Sequence, residues 1–393
     1  MIGTWMANIA MGWLVYRLTK SATYLGVVSF LLNIPQFILG PYAGVIADRY
    51  DRLKVIKITQ VVMLLQALVL AILTLTGVIQ IWHIFVLSLL LGIAFSMEIP
   101  SRQALIIKMV GIEDLPNAIG LNASLFNGAR MIGPAIGGGI VALFGEGICF
   151  LINAISFLAL IAGLYMIDLG PWKGDGEHGS VWEHIKEGIK ISYNDTCIRR
   201  TLALVAITSF LGMPFLVLLP AYIKTVLSGG VYAYGWVMAS SGAGAMVAAL
   251  TLIQRVTLKG LPRRIAISNI CFGIGLVIFA LMKNVYLAEC VMFAASFAFM
   301  VQHASANTLI QMVIPDKLRG RVLGLYATMF LGILPLGALI MGVATDQLGP
   351  QITFGLMGIC MLISGAIYFR FLPKLPDSTQ RSGTNTSVHI PSG

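Results

Sequence analysis

The chain has 393 residues, 58% of them apolar and only 11% charged, with 42 glycines and a formal net charge of +10. Soluble chains carry about 25% charged residues, so this one has too little charge to coat a water-facing surface and must be solvated by lipid. The five cysteines (Cys149, Cys197, Cys271, Cys290 and Cys360) and five histidines are dispersed, which excludes a disulfide framework or a zinc site, and neither a metal nor a cofactor is expected.

A membrane-crossing helix needs about 20 mainly apolar residues. Such runs predict twelve spans, the first from Met1 to Tyr16. The next five run from Tyr24 to Ala47, Val55 to Thr76, Trp82 to Gln103, Ala118 to Phe144 and Ile148 to Ile167. The second six run from Leu202 to Ile223, Tyr234 to Ile253, Ile265 to Met282, Val285 to Gln311, Val322 to Thr345 and Ile352 to Phe371. Sixteen residues rise only about 24 Å against a hydrocarbon core of about 30 Å, so the first span is expected to begin upstream of Met1. It lacks the basic leader and cleavage site of a signal peptide.

The longest polar segment divides the chain. It predicts a first six-helix unit over 1–167, a linker over 168–200, a second unit over 201–372 and a disordered tail over 373–393. Within the linker Val181, Trp182, Ile185 and Ile189 recur at three- and four-residue spacing, an amphipathic helix expected to lie along the membrane surface.

Of the 26 lysines and arginines, 21 fall on one side, in or next to the loops after spans 2, 4, 6, 8 and 10 and in the tail. Arg17, Lys20, Lys224 and Lys283 mark the other side, and Arg130 lies within a span. By the positive-inside rule both termini are cytoplasmic, as in a bacterial inner membrane, and the charge reports orientation; no nucleic-acid partner is expected.

Shifting the chain by 204 residues aligns 101–145 with 305–349 without gaps, with 12 of 45 positions identical. Gly120, Gly128, Gly133 and Gly138 fall on Gly324, Gly332, Gly337 and Gly342. Such spacing predicts duplicated halves. Parallel repeats of six spans are a transporter design, with the substrate held near midplane where the halves meet. A monomer is expected, because the repeat supplies both halves.

Three motifs carry a family resemblance. The loop after span 2 reads Gly44-Val-Ile-Ala-Asp48-Arg49-Tyr-Asp51-Arg52-Leu-Lys54, span 4 ends in Glu98-Ile-Pro100-Ser-Arg102-Gln103, and span 5 carries Gly120, Ala129, Gly133-Pro134 and Gly137-Gly138. The sequence resembles the major facilitator superfamily, in its transmembrane secretion effector branch with enterobactin-type and multidrug exporters. The resemblance implies an all-helical membrane fold of two pseudo-symmetric six-helix bundles. It implies export of a drug or siderophore by proton antiport with alternating access; a lysophospholipid flippase of similar sequence is the alternative. Asp48 would latch the N-terminal end of span 11, near Leu318 to Arg321. Two positions depart from the family pattern, Asp51 in the loop and Ala129 in span 5, each where glycine is usual.

Physically, Asp48 suits a cap on a neighbouring helix and Arg49 and Arg52 suit pairing with carboxylates or lipid phosphates; a solvated basic loop is the plain reading. The span 5 glycines suit close packing, and Pro134 suits a hinge.

Charges inside the membrane cost about 2.5–3.5 kcal/mol each on the mild scale and call for a role. Glu98 and Arg102, four apart, suit a gate pair or a proton site. Arg130 has no acid at i±4, so its counter-charge comes from another helix or from an anionic substrate. Glu289 and His303 lie in span 10, where His303 suits either proton exchange or a satisfied helix contact. Trp5, Asn8, Trp13, Asn33, Gln36, Asn122, Asn127, Met213, Gln302 and Asn307 are the candidate lining of a cavity for small amphiphilic molecules. No Walker A run is present, so ion coupling rather than ATP is expected. A membrane enzyme would need a clustered nucleophile and base or an HExxH-type site, and a channel would need rings of charge; the sequence offers neither.

Overall fold

The computed structural model describes residues 1–49, 51–111, 113–167, 189–252, 260–315 and 318–373, without the side chains of 40–49, 104, 107 and 116. The tail beyond residue 373 and most of the amphipathic linker stretch lie outside the described residues. The first six long helices are α1 Ile2–Thr19, α2 Ala22–Arg49, α3 Arg52–Leu75, α4 Ile81–Val110, α5 Leu115–Phe144 and α6 Glu146–Tyr165. They are followed by α7 Thr196–Ile207, α8 Phe215–Thr225, α9 Val231–Thr251, α10 Leu261–Leu281 and α11 Val285–Val313. The last three are α12 Arg319–Ala327, α13 Leu334–Leu348 and α14 Pro350–Arg370. Among the described residues no strand occurs. Ten helical runs are long and apolar enough to cross a membrane, counting α7–α8 and α12–α13 as one run each. The other two long helices are α1 and α5.

Helix ends follow local chemistry. Asp51 accepts from the Leu53 amide at 3.0 Å to start α3, and Asp195 accepts from the Cys197 and Ile198 amides at 2.7 and 3.0 Å to start α7. Gly145 (φ 82°) ends α5 and Gly349 (φ 86°) ends α13. Both turns need a left-handed backbone, and the two residues are repeat mates 204 apart.

Pro100 and Pro134 lie inside α4 and α5 without ending them. Spans 7 and 11 differ from the sequence expectation of single helices. Each is broken by one wide π turn, Thr208–Gly212 before Pro214 and Thr328–Gly332 before Pro335. In the first, the Met213 amide reaches back five residues to the Thr208 carbonyl at 2.8 Å. A proline removes a donor and crowds the carbonyl of the preceding turn, and a local widening relieves both.

The apolar cores show how the two halves of the chain join. At the end where α1 meets α2, one core takes Leu14, Val15 and Leu25 from the first half together with Leu218, Tyr222 and Tyr234 from the second. At the opposite end, which carries the basic loops, the cores are separate. One holds Ile56, Leu105 and Leu164, and the other Cys197, Leu202, Ile265, Ile310, Tyr326 and Tyr368.

Candidate functional site at the cleft between the halves

Two seams join the halves, α5 against α9 and α2 against α13, and both are faced with glycine. A Cβ placed at Gly138 would lie 2.8 Å from Gly235 Cα, and one at Gly242 would lie 2.7 Å from the Arg130 carbonyl oxygen. On the other seam, a Cβ at Gly342 would lie 2.7 Å from the Ala22 carbonyl oxygen, and one at Gly26 would lie 2.5 Å from that of Ala338. Main chain meets main chain on both, the closest approach helices can make. The repeat mates thus occupy matching places: Gly138 faces α9, and Gly342 faces α2. Gly133 abuts Trp5 of α1, while Gly337 abuts Phe210 of the span 7 π turn.

Toward the basic end the α5–α9 seam stops. Residues 119–121 and 123–126 are exposed apart from the half-buried Asn122, and nothing stands within 4 Å of a Cβ at Gly120 or Gly128. Gly320 and Gly324 in α12 are equally open. Arg130, midway along α5, sits where contact gives way to opening. Its guanidinium lies over the Trp5 ring at 5.9 Å, and Trp5 meets Phe126 edge-on at 5.8 Å. Across the cleft, His303 of α11 stacks on Phe330 at 3.7 Å and Tyr326 at 5.4 Å. The Tyr326 hydroxyl is 2.6 Å from His303 Nδ1 and 3.0 Å from its carbonyl oxygen. Phe330 lies in the second π turn, where its carbonyl accepts from Ser209 of the first. The first half thus carries a cation where its seam ends, and the second half carries an aromatic stack on α11 and the π turn of span 11.

The far end is closed by polar contacts. Asp346 at the end of α13 caps the start of α2, accepting from the Ser21 hydroxyl and from the Ala22 and Thr23 amides at 2.6 and 2.9 Å. Arg17 grips Glu146 with Nε to Oε1 at 2.8 Å and Nη2 to Oε2 at 3.2 Å, tying α1 to α6. Trp13 stacks on Tyr234 at 6.3 Å, with Lys224 at 6.0 Å from its ring.

Other sequence candidates are dispersed. Glu98 is buried and pairs with Arg102 at 3.3 Å while Gln60 reaches it at 3.5 Å; the continuous helix across Pro100 keeps them one turn apart. Glu289 stands in the first turns of α11, far along that helix from His303. Asn8 lines a small cavity of about 50 Å³ inside the first half, with Gln66, Ser88 and Asn153. Asn33 and Asn127 bond back to the carbonyls of Ser29 and Ala123, and Asn307 accepts from Gln311. Gln302 is buried with its amide nitrogen unpartnered. Asn122 and Gln36 are half-buried on α5 and α2. Met213 follows the first π turn. Of the loop motif, Asp51 caps α3 and Lys54 is exposed, while the side chains of Gly44 to Arg49 lie outside the described residues. Sequence reasoning gave no role to Asp346, Tyr326 or Phe330 and used Arg17 only to mark the other side; all four act through partners distant in the chain.

Residues 1–391 match the family described as transmembrane secretion effector. The chain belongs to that family of major facilitator transporters. The chain is 28% identical over 389 residues to a staphyloferrin A transporter of Staphylococcus aureus, covering 98% of this chain and 97% of that one. It is 25% identical over 388 residues to the multidrug efflux pump Tap of Mycolicibacterium fortuitum, covering 95% and 93%. Its fold matches the inward-open xylose transporter XylE of E. coli with a TM-score of 0.71 at 14% identity, over 95% of this chain and 93% of that one. The sequence-level family resemblance and helical membrane fold are therefore correct.

Proposed function

We propose that this chain is a secondary exporter of small amphiphilic molecules, driven by proton antiport and working by alternating access. In this reading twelve spans form two six-helix bundles with both termini cytoplasmic, acting as a monomer. The basic end then faces the cytoplasm, and the cleft at Arg130 opens inward. The observation that carries the reading is the apolar core shared at one end and divided at the other, with the glycine-faced seams ending beside Arg130. Glycine seams let two bundles rock without side-chain collision, and Gly133, Pro134, Gly137 and Gly138 lie on the helix that would bend. Relatives named for a siderophore and for multidrug efflux support a small organic cargo.

Glu98 with Arg102, and His303, are the groups proposed to exchange protons, and Gly44, Asp48, Arg49, Asp51, Arg52 and Lys54 the latch on the cytoplasmic side. One proton moving inward down 100 mV releases about 2.3 kcal/mol, which sustains about a fiftyfold substrate gradient. Everted vesicles energised by respiration should accumulate fluorescent substrates, and an uncoupler should abolish the accumulation. Accumulation that ignores the uncoupler rejects proton antiport; equal dye movement in vesicles lacking the protein rejects export.

A further inference from the structure

We infer that Arg130 anchors an anionic group on the transported molecule, so that this exporter selects amphiphiles carrying a carboxylate, sulfonate or phosphate on a flat apolar body. The inference rests on the exporter reading only for the direction of transport; the site itself is defined by its residues. Arg130 stands halfway along α5, half-buried, where a charge costs about 2.5–3.5 kcal/mol even on the mild scale. A guanidinium has five N–H donors, yet among the described residues none is accepted by a protein group, and the guanidinium lies over the face of Trp5.

The described carboxylates are committed or remote. Glu98 is held by Arg102, Glu146 by Arg17, and Asp346 by the start of α2. Asp51 and Asp195 cap α3 and α7. Glu289 is in the first turns of α11, and Glu113 and Asp114 are exposed in the turn before α5. Among the described residues no carboxylate meets Arg130, and the opening beside it admits an anion from outside the chain.

The surroundings give the rest of the ligand. Trp5 and Phe126 stand beside Arg130 in the first half, and His303, Phe330 and Tyr326 form a ring stack in the second. Exposed aromatic faces take a planar apolar body by stacking, while the cation fixes the orientation of its charged end.

The test uses the purified full-length chain in dodecyl maltoside and two dyes with one xanthene skeleton and opposite charge, anionic fluorescein and cationic rhodamine 6G, read by fluorescence polarisation. The expected result is fluorescein binding at least about tenfold tighter than rhodamine 6G, the scale of one charge-assisted hydrogen bond. Arg130→Gln should lose that preference, and Arg130→Lys should keep part of it. The wild-type dye comparison stands even if the variants do not fold. Displacement of fluorescein by 1-naphthoate assigns the site to a soluble carboxylate, and displacement by lysophosphatidylglycerol assigns it to a lipid anion. Rhodamine 6G binding as tightly as fluorescein, no fluorescein binding, or displacement by neither competitor overturns the inference. So does a folded Arg130→Gln chain that binds fluorescein like the wild type. Binding needs no gradient, so failure of export in vesicles leaves this result separate.

Discussion

Asp346 offers the most direct handle on how firmly the far end is shut. Its carboxylate caps α2 across the boundary between the halves through three hydrogen bonds. Removing an N-cap costs about 1 kcal/mol, and removing the negative charge from the positive end of a helix costs about a further 0.3–1 kcal/mol at an exposed position. Asp346→Ala should therefore weaken closure by up to about 2 kcal/mol, raising the ratio of outward-open to outward-closed molecules by up to about thirtyfold. Asp346→Asn keeps a capping oxygen and loses only the charge, so its effect should be about threefold. Spin labels at Val78 and Lys283, exposed positions in the turns after α3 and after α10, report the separation by pulsed double resonance in a cysteine-free background. A population at long distance should rise in the order wild type, Asn, Ala. Identical distance distributions in all three, or an Asn effect as large as the Ala effect, would refute the reasoning.

Other expectations follow from the seams and ion pairs. Gly138→Leu places a side chain where a Cβ alone comes within 2.8 Å of Gly235; overpacking of about 1–3 kcal/mol should populate the outward-open state in the same distance measurement, and an unchanged distribution would contradict a tight seam. Glu98→Gln should abolish vesicle uptake driven by a pH gradient while dye-for-dye exchange continues; loss of both would mark the Glu98–Arg102 pair as structural. The Arg17–Glu146 fork, half exposed on the arginine side, should give a coupling of about 0.5–1 kcal/mol in a denaturation cycle of Arg17→Ala and Glu146→Gln. Zero coupling would show the fork to be incidental.

The sequence displayed what is periodic or local. Apolar runs located the long helices, and two of the four repeated glycine pairs, Gly133 with Gly337 and Gly138 with Gly342, pointed to positions that pack against α1, the span 7 π turn, α9 and α2, while Gly120, Gly128 and Gly324 stand open. Glu98 and Arg102 were legible as a pair because one helical turn joins them. Boundaries were less so: α1 continues to Thr19, past the last apolar residue, and α4 runs on through Pro100 to Val110. The π turns left no readable mark, since Thr208–Gly212 and Thr328–Gly332 have ordinary span composition and only the prolines after them hint at widening. Asp346 went unread, because its partners are amides more than 300 residues away. The stack of Phe330 on His303 depends in the same way on how α11 meets the second π turn.

Glycine at the seams makes the protein's response to mutation one-sided. No residue is smaller, so any replacement at Gly26, Gly138, Gly235, Gly242 or Gly342 adds bulk and pries the halves apart at the far end. Variation there can lengthen the time spent open to the outside but cannot shorten it. A lineage needing tighter closure has to trim the opposing surface, at alanines such as Ala22 or Ala338, or strengthen the caps at the rim.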